Sequence, residues 1–444
     1  MLSVLANQTY RRLFLAQIIA LVGTGLATVA LGLLAYDIAG ANAGAVLGTA
    51  MAIKMAAYIG IAPLVGAYAG RLPRRGFLVA MDVIRALVVL ALPFVDQVWQ
   101  IYVLIFVLQS ASAGFTPTFQ ATIPEVLPQE KDYTKALSLS RLAYDMESLT
   151  SPMLAAALLT VMNFHWLFSG TALGFVCSAL LVLTTTLPRF AARKSSGSIY
   201  ANTTRGARLY LKTPRLRGLL AVTLAAAAAS AMVIVNTPVL VLAALGRGQS
   251  AVAVTLAAFG GGSMLAALLL PRLLERLSDR TVMLSAASAI TVALAALALS
   301  WSAHASPGYW GVIIAGWMVL GVAYSASITP GGRLLRRSSG EEDRPALFAA
   351  QFALSHVCWL VAYPLAGQAG ALAGMGAAFG LAAALALIGT LIAFRIWPTD
   401  DPEVLAHNHD DLPLSHPHLI ESHPDGRARH AFVIDDLHSS WPPN

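Results

Sequence analysis

The sequence predicts an all-α membrane protein of about twelve transmembrane helices arranged in two six-helix halves. Three observations lead there. The chain is 57% hydrophobic and only 11% charged, whereas a soluble domain carries roughly 25% charged residues, so it lacks the polar side chains to cover a water-facing surface. Long apolar runs recur along it, separated by short polar loops. When those loops are assigned alternately to two sides, the basic residues collect on one side.

Crossing a bilayer takes roughly 20 apolar residues whose backbone bonds internally, so each run is read as a helix. The runs fall near 13 to 36, 44 to 69, 77 to 95, 98 to 122, 135 to 160 and 165 to 188, then near 216 to 243, 250 to 273, 281 to 303, 309 to 331, 346 to 368 and 371 to 397. Stretches such as Leu224 to Ala229 and Leu381 to Leu387 are Ala and Leu alone, which suits lipid contact and close helix packing. Arg11 and Arg12 lead into an apolar run too long for a signal-peptide core, so the first helix is expected to be retained. Cys177 and Cys358 lie inside such runs and suggest no disulfide framework.

Of the 29 lysines and arginines, Lys54, Arg85 and Arg141 fall inside hydrophobic runs and Arg247 lies on the opposite side. The rest lie at the N-terminus, in loops 70–76, 123–134, 189–215, 274–280 and 332–345 or at the run ends that border them (Lys135, Arg217, Arg272), or at or beyond the end of the last run. Positive charge stays cytoplasmic on insertion, which predicts both termini in the cytoplasm of a bacterial inner (plasma) membrane protein. The same asymmetry accounts for the net charge of +7 without nucleic acid. The expected organisation is an N-terminal bundle, 1–188; a basic cytoplasmic linker, 189–215; a C-terminal bundle, 216–397; and a tail, 398–444, in a monomer. The linker region from Arg189 to Arg217 holds no acidic residue.

The halves read as diverged copies. The fourth run ends Ser112-Ala113-Gly114-Phe115-Thr116-Pro117 and the tenth ends Ser325-Ala326-Ser327-Ile328-Thr329-Pro330. An acidic loop follows each, then a helix opening with Ala136-Leu137 or Ala346-Leu347 and interrupted by Pro152 or Pro364. Such repeats commonly hold a substrate site between them.

Charges at membrane depth cost at least ~2.5 kcal/mol each, so those that remain are functional candidates. Lys54 lies roughly 15 Å into the second helix, near the midplane. In the fifth, Arg141 and Asp145 share a face and can pair. Glu147 projects about 200° round from Asp145 and needs another partner, for which Lys54 is the suggestion. The eleventh carries Gln351, His356 and Cys358, with His356 at or beside the repeat counterpart of Asp145. The expected substrate and coupling site is therefore Asp145, Glu147, His356 and Lys54, with Asn236 beside Pro238 as a further oxygen ligand. The plainer reading is a hydrogen-bonded packing histidine and a small apolar cysteine. Asp82 and Arg85 are read as a structural pair supporting loop 70–76.

After Trp397 the composition changes. Residues 398–444 hold seven of the ten histidines, nine acidic residues and two arginines, which predicts a disordered cytoplasmic tail. His407, His409, His416, His418 and His423, beside Asp410 and Asp411, suit divalent transition metals.

The stretch Gly66-Ala67-Tyr68-Ala69-Gly70-Arg71-Leu72-Pro73-Arg74-Arg75 resembles the signature loop between the second and third helices of the major facilitator superfamily. The resemblance implies a gating loop built on Gly66, Arg71, Arg74 and Arg75, and an interface of the halves made by helices 2, 5, 8 and 11. Gly70 departs from the family's usual Asp, and Gln109 stands about where many proton-coupled drug exporters of the superfamily carry Arg. With its histidine-rich tail, the chain also resembles bacterial nickel and cobalt resistance exporters. No enzyme motif, nucleotide site or cofactor signature is present in the sequence. The expected function is secondary active efflux of divalent transition-metal cations (nickel/cobalt class) by alternating access, proton-coupled. The alternative is an exporter of an organic solute, a drug or siderophore, with a regulatory metal-binding tail.

Overall fold

A computed structural model describes residues 2–68, 73–187, 199–304, 307–339, 344–400, 404–407, 428–434, 438 and 441. The first six long helices are α1 (Gln8–Ala39), α2 (Ala43–Tyr68), α3 (Arg74–Ala91), α4 (Val98–Val126), α5 (Glu130–Leu158) and α6 (His165–Leu183). After α7 (Ile199–Lys212) come α8 (Pro214–Pro238), α9 (Gln249–Leu274), α10 (Asp279–His304), α11 (Trp310–Ile328), the short α12 (Gly331–Arg337) and α13 (Arg344–Ile396).

Among the described residues, nine stretches are long and apolar enough to cross a membrane. Two of them, Gln8–Ile61 and Ala346–Ile396, each hold two helices. α5 is not in that set, because Lys131, Asp132, Lys135, Arg141, Asp145 and Glu147 interrupt its apolar character. Counting α5 with them gives the twelve crossings expected. The chain is thus a multi-pass membrane protein, all-helical among the described residues apart from one strand pair in the tail. The eleventh and twelfth crossings form one assigned helix, broken at Gly374, where φ is 82° and ψ 174°. That left-handed φ is open to glycine at little cost, so the chain reverses there without a separate loop.

Close helix approach is made by glycines. A Cβ at Gly262 of α9 would lie 2.1 Å from the Met318 carbonyl oxygen, and one at Gly321 of α11 would lie 2.0 Å from that of Phe259. α1 and α6 meet likewise at Gly23 and Gly174. In lipid there is little hydrophobic drive between helices, so this backbone proximity supplies the dispersion contact that holds them. Between the first six helices and the later ones, α2 packs along α13 and α5 along α9.

Two segments differ from the sequence expectation. Within the linker, 199–212 is helical: Gly206 sits against the Ala346 carbonyl, and the buried Tyr210 hydroxyl donates to Gln351 Oε1. Burial, and then Cys358 nearby, pushes the Tyr210 phenol well above its ordinary range, so it keeps its proton for that bond. The tail is not wholly without structure. β1 (Val404–His407) pairs antiparallel with β2 (Ala428–Ala431), Val404 opposite Ala431. Phe432, Ile434 and His438 are buried. Arg215, in the first turn of α8, donates to the Phe432 carbonyl at 3.0 Å and lies 4.7 Å from the Trp441 ring centre. The composition argument for disorder overlooked these few aromatic and aliphatic side chains, which find a buried cation to cover.

Candidate functional site

A cavity of about 290 Å³ lies among α1 to α5. α1 contributes Gln17 and Thr24, α2 Lys54 and Tyr58, and α3 Arg85. α4 contributes Gln109, Ser112, Phe115 and Phe119, and α5 Ser140, Tyr144 and Glu147. Ile123 and Phe119, late in α4, and Ser140, early in α5, carry it toward the end of the bundle that holds the basic loops.

Glu147 is seated by a missing side chain on α1. A Cβ at Gly25 would lie 2.3 Å from Glu147 Oε1 and 2.3 Å from Ser151 Oγ, so only glycine leaves the carboxylate its place. Ser151 is its hydrogen-bond partner. Lys54 and Glu147 act on each other electrostatically. They are not in direct contact: the ion pairs with both partners described are Arg85–Asp82, Lys135–Asp132 and Arg333–Asp279. Lys54 also borders a smaller cavity with Thr28, Met51, Leu108 and Phe175.

Arg85 has two attachments. Its Nη2 pairs with Asp82, whose other carboxylate oxygen accepts from Ser178 Oγ at 2.8 Å. Its guanidinium lies between the rings of Phe115 and Phe175, 4.2 and 4.5 Å from their centres. The pair is buried, as expected of a structural pair, but Arg85 also lines the cavity, which sequence reasoning missed. Tyr58, Tyr144, Gln17 and Gln109 were missed too. Tyr58 is one turn beyond Lys54 and Tyr144 one turn before Glu147, so helical spacing from the charges would have found both. Gln17 Oε1 accepts from Ser140 Oγ at 3.0 Å, and the Gln17 amide is also hydrogen-bonded to Tyr144, tying α1 to α5.

His356 reaches this region from α13. Its ring stacks on Tyr58, centres 5.7 Å apart and planes 13° off parallel, and packs on Phe352 at 4.1 Å. Nδ1 lies 2.6 Å from the Phe352 carbonyl oxygen. Lys54 is within electrostatic range. The surroundings of the histidine are aromatic and cationic, not a set of further ligands.

The structure does not bring Asn236 to the cavity. It is buried between α2, α8 and α13, where Nδ2 donates to the Ala366 carbonyl at 3.0 Å and Gly44 and Gly370 leave room for Oδ1. Asn236 lines neither cavity described above, and α8 packs there against α13, so the oxygen-ligand expectation is corrected to a packing role. Its neighbours form a tight crossing far from the basic loops. A Cβ at Gly367 would lie 2.1 Å from the Gly44 carbonyl oxygen, one at Gly48 2.5 Å from that of Tyr363, and one at Gly32 3.0 Å from Pro238 Cγ.

The side chains of Asp145, Arg141 and His407 lie outside the described residues, as do Arg71, His409, His416, His418 and His423 in full, and of Gly66 only its place in α2 is described. Arg74 is buried at the first position of α3 and Arg75 is exposed. Among the described residues, no group of three or more His, Cys, Asp or Glu side chains gathers where a metal ion could be held.

Solved structures share this architecture. A single-residue mutant of the nucleoside transporter NupG superposes with a TM-score of 0.71 at 13% identity, covering 88% of this chain and all of that one. A bacterial homologue of the human lysosomal transporter Spinster, in an inward-facing and unoccupied conformation, gives 0.68 at 12% identity over 88% of this chain and 97% of its own. Sequence relatives match over shorter spans. Macrolide efflux protein A of Streptococcus pyogenes is 26% identical over 160 residues, 34% of this chain and 39% of that protein. The MFS-type transporter YfiS of Bacillus subtilis (strain 168) is 28% identical over 122 residues, 28% of this chain and 29% of its own length. The chain therefore spans well under half the length of these two relatives. The family model of the Major Facilitator Superfamily matches residues 13–302 and 219–423. With helices and family model in agreement, the chain belongs to the Major Facilitator Superfamily.

Proposed function

We propose that this protein exports an organic solute by alternating access, with 1–188 and 216–397 as the rocking halves and the cavity among α1 to α5 as the translocation site. The observation that carries this reading is the wall of that cavity. Lys54 and Glu147 face it without direct contact, ringed by Tyr58, Phe115, Phe119 and Tyr144. Charged groups so deep in a bilayer are costly to keep, and an aromatic surround suits an organic body. At about 290 Å³ the space is at the lower end of ordinary ligand pockets, ~300–1,000 Å³.

The cavity reaches toward the basic end, and the tight Gly44–Gly367 crossing lies at the other. With basic loops cytoplasmic in a bacterial inner membrane, this is an inward-facing state that admits a solute from the cytoplasm. The macrolide efflux relatives favour the outward direction.

A divalent metal ion is a poor cargo here. Lys54 and Arg85 on the wall repel it, and Glu147 is the single carboxylate in the lining among the described residues. The organic-solute reading is therefore preferred to the nickel and cobalt one, and the tail histidines are assigned metal binding in regulation. Proton coupling is placed at Glu147. Ionised, it balances Lys54; protonated, it leaves Lys54 as an uncompensated cation, so one proton changes the cavity's charge by a full unit.

The test is transport by proteoliposomes. A panel of macrolides, aromatic organic solutes, Ni²⁺ and Co²⁺ is offered, with a trapped pH-sensitive dye. Movement of an organic solute linked to proton flux, and loss of that link in Glu147→Gln, is the expected result. Movement of Ni²⁺ or Co²⁺ alone would overturn the reading.

A further inference from the structure

We propose that the solute carried by this cavity is an organic anion, its charged group bound by Lys54 and Arg85 and its body held by the surrounding aromatic rings. The proposal rests on the exporter reading above and names its substrate class.

The two cations are used unequally by the protein. Arg85 is only 5% exposed, yet it spends one guanidinium nitrogen on Asp82. Its Nε finds no hydrogen-bond partner. An arginine offers five N–H donors in a planar fork, so most of this one's capacity remains while Phe115 and Phe175 fix its plane. Lys54, an ammonium with three donors, stands off from Glu147, whose carboxylate turns to Ser151.

The acidic side is smaller. Asp82 is buried behind Arg85 and absent from the cavity lining, which leaves Glu147 as its one carboxylate among the described residues. On the wall itself, among the described residues, Lys54 and Arg85 face the one carboxylate of Glu147, with Asp82 set behind Arg85, and the cavity attracts a negative group. A cationic solute meets the opposite field, and its one partner, Glu147, is already committed to Ser151 and pressed against α1 at Gly25. A carboxylate is recognised best by charge-assisted bonds of this kind. Tyr58, Phe115 and Tyr144 then offer ring faces to an apolar body.

Three probes of one shape and different charge decide it: 2-naphthoate, the neutral 2-naphthamide and the cation 2-naphthylmethylammonium. Each is tested for binding to the full chain in nanodiscs and for transport in proteoliposomes. The expected order places naphthoate tightest, by roughly tenfold or more. Lys54→Gln loses that preference, while Glu147→Gln, which fixes the neutral form, keeps it. Arg85→Gln leaves Asp82 buried without its partner and invites misfolding, so the double variant Arg85→Gln/Asp82→Asn is used, with thermal unfolding as the control. It also loses the preference. Equal binding of amide or cation, or an unchanged naphthoate affinity in Lys54→Gln, overturns the proposal. If macrolides or other neutral or cationic solutes move and naphthoate does not, the anion reading falls and the exporter stands. If no organic solute of any charge moves, both fall.

Discussion

The tight crossing of α2 and α13 makes a quantitative expectation for Gly367→Ala. The added Cβ would lie 2.1 Å from the Gly44 carbonyl oxygen, so the two backbones must part by about 1 Å or more before an ordinary contact is reached. Overpacking of this sort costs typically ~1–3 kcal/mol. The crossing joins the two halves at the end away from the basic loops, so the cost falls on the state in which that end is shut. The ratio of open to shut molecules there should rise by roughly 5- to 150-fold. Spin labels at Ala41 and Arg247, in a background with Cys177 and Cys358 replaced, report the distance across that end by pulsed electron resonance. The control is Gly389→Ala, whose Cβ would lie 2.5 Å from the Ala221 carbonyl oxygen. There the crowding is between α13 and α8, both in the C-terminal half. It should lower stability without widening the label distance. If Gly367→Ala leaves the distance distribution where it was, or Gly389→Ala shifts it as much, the crossing is not the seal.

Other expected outcomes follow from single contacts. Asp82→Asn strands the buried Arg85 guanidinium, and loss of one partner from a buried pair costs roughly 3–5 kcal/mol; thermal unfolding in detergent should fall clearly, and Arg85→Gln added to it should recover part of the loss. Gly25→Ala displaces Glu147 and Ser151 from α1 and should abolish proton-linked transport while the protein still reaches the membrane, measured by dye-reported proton flux. Tyr210→Phe removes the donor to Gln351 and should lower stability by about 1 kcal/mol, seen as a modest fall in unfolding temperature. Truncation after residue 427 uncovers Arg215 and should leave it open to arginine-selective phenylglyoxal labelling, which the intact chain resists.

How much of this was legible in the sequence depends on the interaction concerned. Helix number and sidedness follow from apolar run length and basic loops, each a local property, and both can be read residue by residue. Lys54 and Glu147 stood out because charge in an apolar run is rare, and helical phase set Glu147 apart from Asp145. The cavity wall did not stand out: Gln17, Gln109, Tyr58 and Tyr144 are ordinary residues in a membrane helix until tertiary packing places them together. Asn236 went wrong for the same reason, since a polar residue beside a proline suggests a ligand until α13 is seen to supply the Ala366 carbonyl. Arg85 was half right. Its i,i+3 spacing from Asp82 gave the pair, but nothing local reveals that the guanidinium also borders an opening.

The distribution of these features implies a division of labour between the halves. Among the described residues, the charges that line the cavity belong to α2, α3 and α5, whereas α13 contributes His356 through a ring stack on Tyr58 and meets α2 at the far end by backbone contact at Gly367. A charged site can be kept in a bilayer only while its compensating groups stay in place, so concentrating Lys54, Glu147, Arg85 and Asp82 on one side spares that network from being broken whenever the halves rock. The moving contacts are then the inexpensive ones, glycine crossings and an aromatic stack. On this argument His356→Phe, which keeps a flat ring on Tyr58, should transport far better than His356→Ala. If His356→Phe is as inactive as His356→Ala, the imidazole nitrogens matter in themselves, and the C-terminal half must be counted among the binding groups.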